Sequence, residues 1–175
     1  MNIKNLLFLL AVVALTLSFN ACSKDNSTDV WHQANMDAYN TMVKDSAQYY
    51  KEISTDTGPL GVYRRVITSG TGTEYPLQTS KVKVLYNGKY YDGTYFDLGS
   101  SKNDSPVEFS VGSTVRGFSF ALQQMVVGDK WVIWIPYYLG YGPNDYYDPN
   151  TYQLLVKGYS TLIFEVELVS ITQFP

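Results

Sequence analysis

Val84-Leu85-Tyr86-Asn87-Gly88-Lys89-Tyr90-Tyr91-Asp92-Gly93-Thr94-Tyr95-Phe96-Asp97 is the stretch that decides the fold. Leading into it, Lys81–Tyr86 alternates, with Val82, Val84 and Tyr86 on one face and Lys81 and Lys83 on the other. Period-two alternation marks a strand with one face buried. Asn87-Gly88 and Asp92-Gly93 are dipeptides that accept positive φ, and they predict two chain reversals in quick succession. A half-buried strand followed by tight reversals calls for an antiparallel sheet.

Outward from this stretch, Val62–Ile67 reads as a strand that leads to a glycine-rich turn at Ser69–Thr73. Further strands are expected at Val107–Val111, Lys130–Ile135 and Thr161–Ile171. Between them Gly117–Met125 reads as a short helix: Phe118, Ala121, Leu122 and Met125 share one face, and Gly128 ends it. Strands interrupted by one short helix predict an α+β fold, an antiparallel sheet wrapped around that helix. In Trp131-Val132-Ile133-Trp134-Ile135, alternation sends Trp131, Ile133 and Ile135 toward the helix. Val132 and Trp134 then face the other way, with Ile163 and Leu85 beside them. A tryptophan on an outer face calls for a cover. Between Val30 and about Ile53, Trp31, Ala34, Ala38, Met42, Ala47 and Tyr50 recur at helical spacing, with Asp29 placed to cap the start. This extra N-terminal helix is the expected cover; the alternative is that the face docks a partner or a second copy.

The N-terminus carries a different signal. Lys4 precedes an apolar run, Leu6–Leu17, which has the length of a signal-peptide core and falls short of the ~20 residues that span a bilayer. The run ends at Leu17-Ser18-Phe19-Asn20-Ala21-Cys22, which holds the only cysteine. A small residue before a lone cysteine resembles a bacterial lipoprotein processing site, where the new N-terminal cysteine carries lipid. The expected organisation is a signal peptide over 1–21, a lipid-anchored tether over 22–29, a helical segment over 30–57 and the main domain over 58–175. The single cysteine rules out an intramolecular disulfide.

Composition narrows the chemistry. The chain has 175 residues and a formal net charge of -3, with no basic stretch able to neutralise a run of phosphates, so nucleic acid is not an expected partner. Its 16 tyrosines favour strands and half-wet surfaces. His32 is the only histidine; it lies in the N-terminal helical segment and is expected to be a surface side chain, too remote to serve a hydrolytic triad. One histidine and one cysteine make no zinc site of the usual kind. Asp145, Asp148 and Asn150 do not follow the spacing of a calcium loop. Neither metal nor cofactor is expected.

The quoted stretch resembles the V-x-Y-x-G-x-x-x-D-G-x-x-F-D signature of FKBP-type peptidyl-prolyl cis–trans isomerases, with every fixed position filled. The resemblance continues through Phe109-Ser110-Val111-Gly112, Val115-Arg116-Gly117-Phe118 and Met125-Val126-Val127-Gly128-Asp129-Lys130. Gly140-Tyr141-Gly142 is similar to the family's A-Y-G motif, and Ser160–Leu168 to its final strand. It covers roughly Gly61 to Ile171. The resemblance implies an apolar pocket walled by Tyr86, Phe96, Val115, Phe118 and Phe164, with Val156 contributed by the loop before the last strand. It also implies that the Tyr141 hydroxyl donates to a substrate carbonyl and that Asp97 supplies a polar group beside Phe96. Phe118 stands where the family commonly has tryptophan, Val107 where it often has an aromatic, and the loop between Tyr141 and Val156 is longer than in compact members. These departures imply activity weaker than that of compact members.

The expected function is isomerisation of X-Pro bonds in exported, proline-containing polypeptides. The enzyme would sit on a membrane of the bacterial cell envelope through lipid on Cys22, with the outer membrane favoured and its face left open. Two alternatives stay open: a catalytically weak module that holds such segments, and a lipoprotein subunit whose tyrosine-rich loop binds a glycan or partner. Homodimerisation is left open.

Overall fold

Strand alternation and backbone pairing place a seven-stranded antiparallel sheet at the centre of the protein. The computed structural model describes residues 26–173; Cys22 and the expected signal segment lie outside them. The chain divides into two units, residues 1–30 and 31–175, and of the first only the opening turn of a helix falls among the described residues. That helix, α1, spans Ser27–Asp45. The strands are β1 (Lys51–Thr55), β2 (Gly58–Thr68), β3 (Lys81–Lys89), β4 (Tyr95–Asp97), β5 (Val107–Ser110) and β6 (Lys130–Ile135), then β7 (Tyr146–Tyr147), β8 (Leu154–Val156) and β9 (Leu162–Gln173). A short helix, α2 (Arg116–Leu122), lies between β5 and β6.

The sheet runs β1-β2-β6-β9-β3-β4, and β5 also pairs with β3. β4 and β5 share one flank of β3: β4 at Gly88–Lys89 and β5 along Lys81–Val84. β7 and β8 form a separate hairpin. Trp131, Ile133 and Ile135 are buried, alternating with half-buried Lys130, Val132 and Trp134. From the neighbouring strands Val82, Val84, Val166 and Leu168 complete the inner face against Phe118, Ala121 and Leu122 of α2. Full burial of each aliphatic side chain contributes about 1.5–3 kcal/mol, so this inner face holds the sheet to the helix. The turn before β6 is tied by Asp129, whose carboxylate accepts from the Val126 amide at 2.7 Å and the Gly70 amide at 2.9 Å.

Several expectations need correction. Asn87-Gly88 does not reverse the chain; both residues lie within β3, paired with β9 at Glu165 and Phe164. Glycine is required there for another reason, since a Cβ on Gly88 would stand 2.5 Å from the Phe96 ring and 2.9 Å from that of Phe164. Asp92-Gly93 does turn the chain, with the Gly93 amide bonded to the Tyr90 carbonyl at 3.0 Å. The N-terminal helix ends at Asp45 and not near Ile53, because Lys51–Thr55 pairs with β2 as a strand; Asp29 lies inside the first turn and is not the cap. The buried face of α1 is Asn35, Tyr39 and Met42, one position on from the expected Ala34 and Ala38, and Ala47 is exposed beyond the helix. His32 is half-buried, not a surface side chain: its ring stacks on Tyr159 at 4.1 Å.

The outer face of the sheet is covered at one end. Register aligns Tyr63, Trp134, Ile163 and Lys89 across four strands. Tyr39 meets this row edge-on at Tyr63, 6.1 Å away, and its hydroxyl donates to the Gly61 carbonyl at 2.6 Å. Tyr50, just past the helix, meets Trp134. The adjoining row, Arg65, Val132, Glu165 and Asn87, is mostly polar, and Lys130 pairs with Glu165 at 2.7 Å. Charged groups there make an apolar cover unnecessary.

Candidate active site

One concave site gathers side chains from six elements. Tyr86 comes from β3, Asp97 from the end of β4, Phe109 from β5, Phe118 from α2, Tyr146 from β7 and Phe164 from β9, while Ser113, Thr114, Val115 and Tyr141 come from connecting segments. Together they line a cavity of about 200 Å³. Its floor is Phe118, only 4% exposed, which packs edge-on against Phe164 at 4.9 Å and Phe109 at 6.5 Å. Tyr86 meets Phe109 at 5.4 Å and Phe118 at 6.3 Å. Edge-to-face rings at such spacings hold one another in place.

Local structure explains these placements. Alternation along β3 directs Tyr86 to the same side as Val82 and Val84, and the short helix presents Phe118 back toward the sheet, next to buried Ala121 and Leu122. Gly117, one residue earlier, lets the helix lie close to the sheet: a Cβ there would stand 2.4 Å from an Ile135 methyl.

The polar groups are few and fixed. Tyr86 donates its hydroxyl to Asp97 Oδ2 at 2.7 Å, and the Gly99 amide donates to Asp97 Oδ1 at 2.8 Å. Burial, followed by the bond to Asp97, holds the Tyr86 phenol well above its ordinary pKa. Tyr141 differs: its hydroxyl has no hydrogen-bond partner among the described residues, and its ring stacks on that of Tyr146 at 4.7 Å. Burial, then the neighbouring Tyr146 and Asp97, push its pKa up too. Both phenols are therefore neutral at physiological pH. Tyr86 is already committed to a partner, while Tyr141 is a free donor at the rim of an apolar cavity.

Of the residues named from sequence, Tyr86, Asp97, Val115, Phe118, Tyr141 and Phe164 line this cavity. Phe96 does not; it backs the Phe164 ring at 5.5 Å and faces an adjacent recess with Tyr95, Leu98 and Val107. Nor does Val156: it ends β8, paired with Tyr146, and its side chain is 3% exposed within the core. Lining residues not named from sequence are Phe109, Ser113, Thr114 and Tyr146. Alternation in β5 puts Phe109 on the same side as Val107, a legible signal. Nothing local marks Tyr146 among 16 tyrosines.

Comparison with known proteins gives consistent matches. The family model described as FKBP-type peptidyl-prolyl cis-trans isomerase matches residues 72–169. The FKBP-type 22 kDa peptidyl-prolyl cis-trans isomerase of Escherichia coli (strain K12) is 35% identical over 137 residues, covering 76% of this chain and 63% of that one. Outer membrane protein MIP of Legionella longbeachae is 34% identical over 113 residues, 65% of this chain and 45% of that one. This chain thus spans between about half and two thirds of the length of those relatives. Among solved structures, a peptidyl-prolyl cis-trans isomerase from Pseudomonas syringae pv. tomato aligns with a TM-score of 0.66 at 29% identity, covering 83% of this chain and 96% of that one.

Proposed function

This chain belongs to the FKBP-type peptidyl-prolyl cis–trans isomerase family, and on that premise we propose that it catalyses rotation about X-Pro bonds in the cavity floored by Phe118. The observation that carries the reading is the pairing of an aromatic-walled cavity with the Tyr141 hydroxyl, which has no hydrogen-bond partner among the described residues. Rotating a prolyl bond crosses a barrier of roughly 18–20 kcal/mol, because the twisted amide loses its resonance. Neither a nucleophile nor a proton transfer is needed to lower it. The planar amide is more dipolar than the twisted one, so an apolar site disfavours the ground state more than the rotated state. The proline ring would rest on Phe118, Phe164 and Val115. The Tyr141 hydroxyl would donate to a carbonyl of the substrate, stabilising the rotated geometry more than the planar one. Asp97 acts through Tyr86: it pins that hydroxyl, so the ring stays a wall and does not compete for the substrate carbonyl.

Tyr141→Phe tests the assignment. It keeps the ring and its stack on Tyr146 and removes only the donor. Loss of one hydrogen bond worth ~1 kcal/mol corresponds to roughly a fivefold drop in kcat/KM, with the melting temperature unchanged. A protease-coupled prolyl isomerase assay reads it, and unchanged kcat/KM would remove Tyr141 from the mechanism.

The setting of this activity follows from the N-terminus. We infer that Cys22 carries lipid and holds the domain at a bacterial envelope membrane, where it meets exported, proline-containing chains. The support is the Ala21-Cys22 junction after an apolar run and a relative named as an outer membrane protein. No helix among the described residues is long and apolar enough to cross a membrane. A Cys22→Ser chain should leave the membrane fraction and lack the acyl mass of the extracted protein. Retention of the variant in that fraction would overturn the anchor.

A further inference from the structure

The loop that carries Tyr141 and Tyr146 returns to the sheet through Lys157–Thr161, and α1 lies against that returning leg. Trp31 donates its indole N–H to the Gly158 carbonyl at 3.0 Å, and the Lys157 ammonium sits 4.6 Å above the Trp31 ring. One turn on, Asn35 Oδ1 accepts from the Thr161 amide at 2.8 Å in a fully buried contact. Between them His32 stacks on Tyr159 at 4.1 Å and meets Tyr137 edge-on at 5.2 Å.

The residues that α1 grips are those that hold the outgoing leg. The Gly158 amide donates to Asp145 Oδ1 at 2.8 Å; Asp145 adjoins Tyr146, whose ring lies on that of Tyr141. The Tyr159 amide donates to the carbonyl of Gly142, next to Tyr141, at 2.9 Å. The legs touch closely: a Cβ on Gly158 would stand 2.3 Å from the Pro143 carbonyl oxygen. Two relays therefore end at the same ring, one from Trp31 through Gly158, Asp145 and Tyr146, the other from His32 through Tyr159 and Gly142.

We propose that Trp31 and His32 are positioning residues for the reaction: α1 clamps the two legs of the 142–159 loop and thereby sets where Tyr141 and Tyr146 stand at the cavity. The loop's own secondary structure is a two-residue strand and a three-residue strand, too little to fix its place alone. Donors and rings must be held within fractions of an ångström to favour one geometry, so a clamp outside the cavity acts on the rate without touching substrate.

The catalytic part of this inference rests on the isomerase reading, and the experiment separates the two. Trp31→Phe keeps a ring and removes the N–H; His32→Ala removes the stack and His32→Phe restores it. Each is made in the full chain, alone and with Tyr141→Phe. Trp31→Phe and His32→Ala should each lower kcat/KM roughly 2- to 5-fold, up to the loss seen on removing the Tyr141 hydroxyl itself, while adding under about twofold once Tyr141 is Phe, because coupled residues are not additive. His32→Phe should recover most of the rate. Hydrogen exchange at the Gly158 and Tyr159 amides should quicken about tenfold in Trp31→Phe, with β3 and β9 unchanged. Equal losses in both backgrounds, or unchanged rate and exchange, would overturn the clamp. Should the wild-type chain fail to accelerate isomerisation, the isomerase reading falls, and the exchange result alone decides the clamp.

Discussion

Replacing Phe118 with Ala is expected to lower stability by about 3–5 kcal/mol, the range for truncating a buried aromatic, and to remove most isomerase activity. Phe118 is buried and contacts Tyr86, Phe109 and Phe164. Its loss would leave three rings without the surface that orients them and merge the cavity with the void beneath. Denaturant unfolding should show a lowered midpoint with little change in slope, since the exposed area changes little. Phe118→Leu separates the two roles. A branched aliphatic refills most of the volume, so stability should fall by only about 1–2 kcal/mol, while the flat floor for the proline ring is gone. An alanine variant with wild-type kcat/KM would show that the floor is not the substrate surface.

The second large effect is expected at Asp97. Its carboxylate holds both the Tyr86 hydroxyl and the Gly99 amide. Alanine would leave two part-buried donors without their charged acceptor, a cost of about 2–3 kcal/mol. It would also free Tyr86 to rotate into the cavity, lowering kcat/KM by roughly tenfold or more. A spectroscopic signature distinguishes this from general loosening. Burial is the largest cause of the raised Tyr86 pKa and the carboxylate the next. In Asp97→Ala the phenol should therefore titrate at lower pH than in the wild type, yet still above the ordinary tyrosine range. The absorbance change of phenolate formation reads this directly. Phenol titration unchanged from the wild type would mean that the carboxylate does not hold Tyr86 as described.

The parts of the fold legible in sequence were those governed by period. Lys130–Ile135 alternates without interruption, and the strand occupies those residues with the expected face buried. Phe118, Ala121 and Leu122 repeat at helical spacing, and they are the buried face of α2. Where a distant neighbour overrides the local signal, the reading failed. Asn87-Gly88 has the chemistry of a turn, but its glycine serves the rings of Phe96 and Phe164, which arrive from two other strands. On α1 the expected face followed small apolar residues, whereas the buried face holds Asn35 beside Tyr39 and Met42; the Asn35 side chain is made acceptable inside by accepting from the Thr161 amide and donating to the Trp31 carbonyl. Burial of a polar side chain depends on a partner remote in sequence. Tyr146 illustrates the same limit at the site, for its position over Tyr141 depends on β7 pairing with β8 at Val156. The motif residues of the cavity were legible together because their spacing spans several elements, so each tests the others.

The place of β9 has a consequence for how the molecule is made. Leu162–Gln173 lies between β6 and β3, so the last strand among the described residues is a central strand of the sheet. Every earlier strand can emerge from a ribosome or an export pore and still find the middle of the sheet missing. β3 must wait for a partner some eighty residues downstream, and such distant pairing slows folding because a long loop must close before its contacts form. Maturation is then all-or-none in time: the aromatic cavity, whose Phe164 wall belongs to β9, comes into being only after the rest of the domain has been delivered. The domain would therefore pass through a late and exposed stage in which β6 and β3 stand without the strand that joins them.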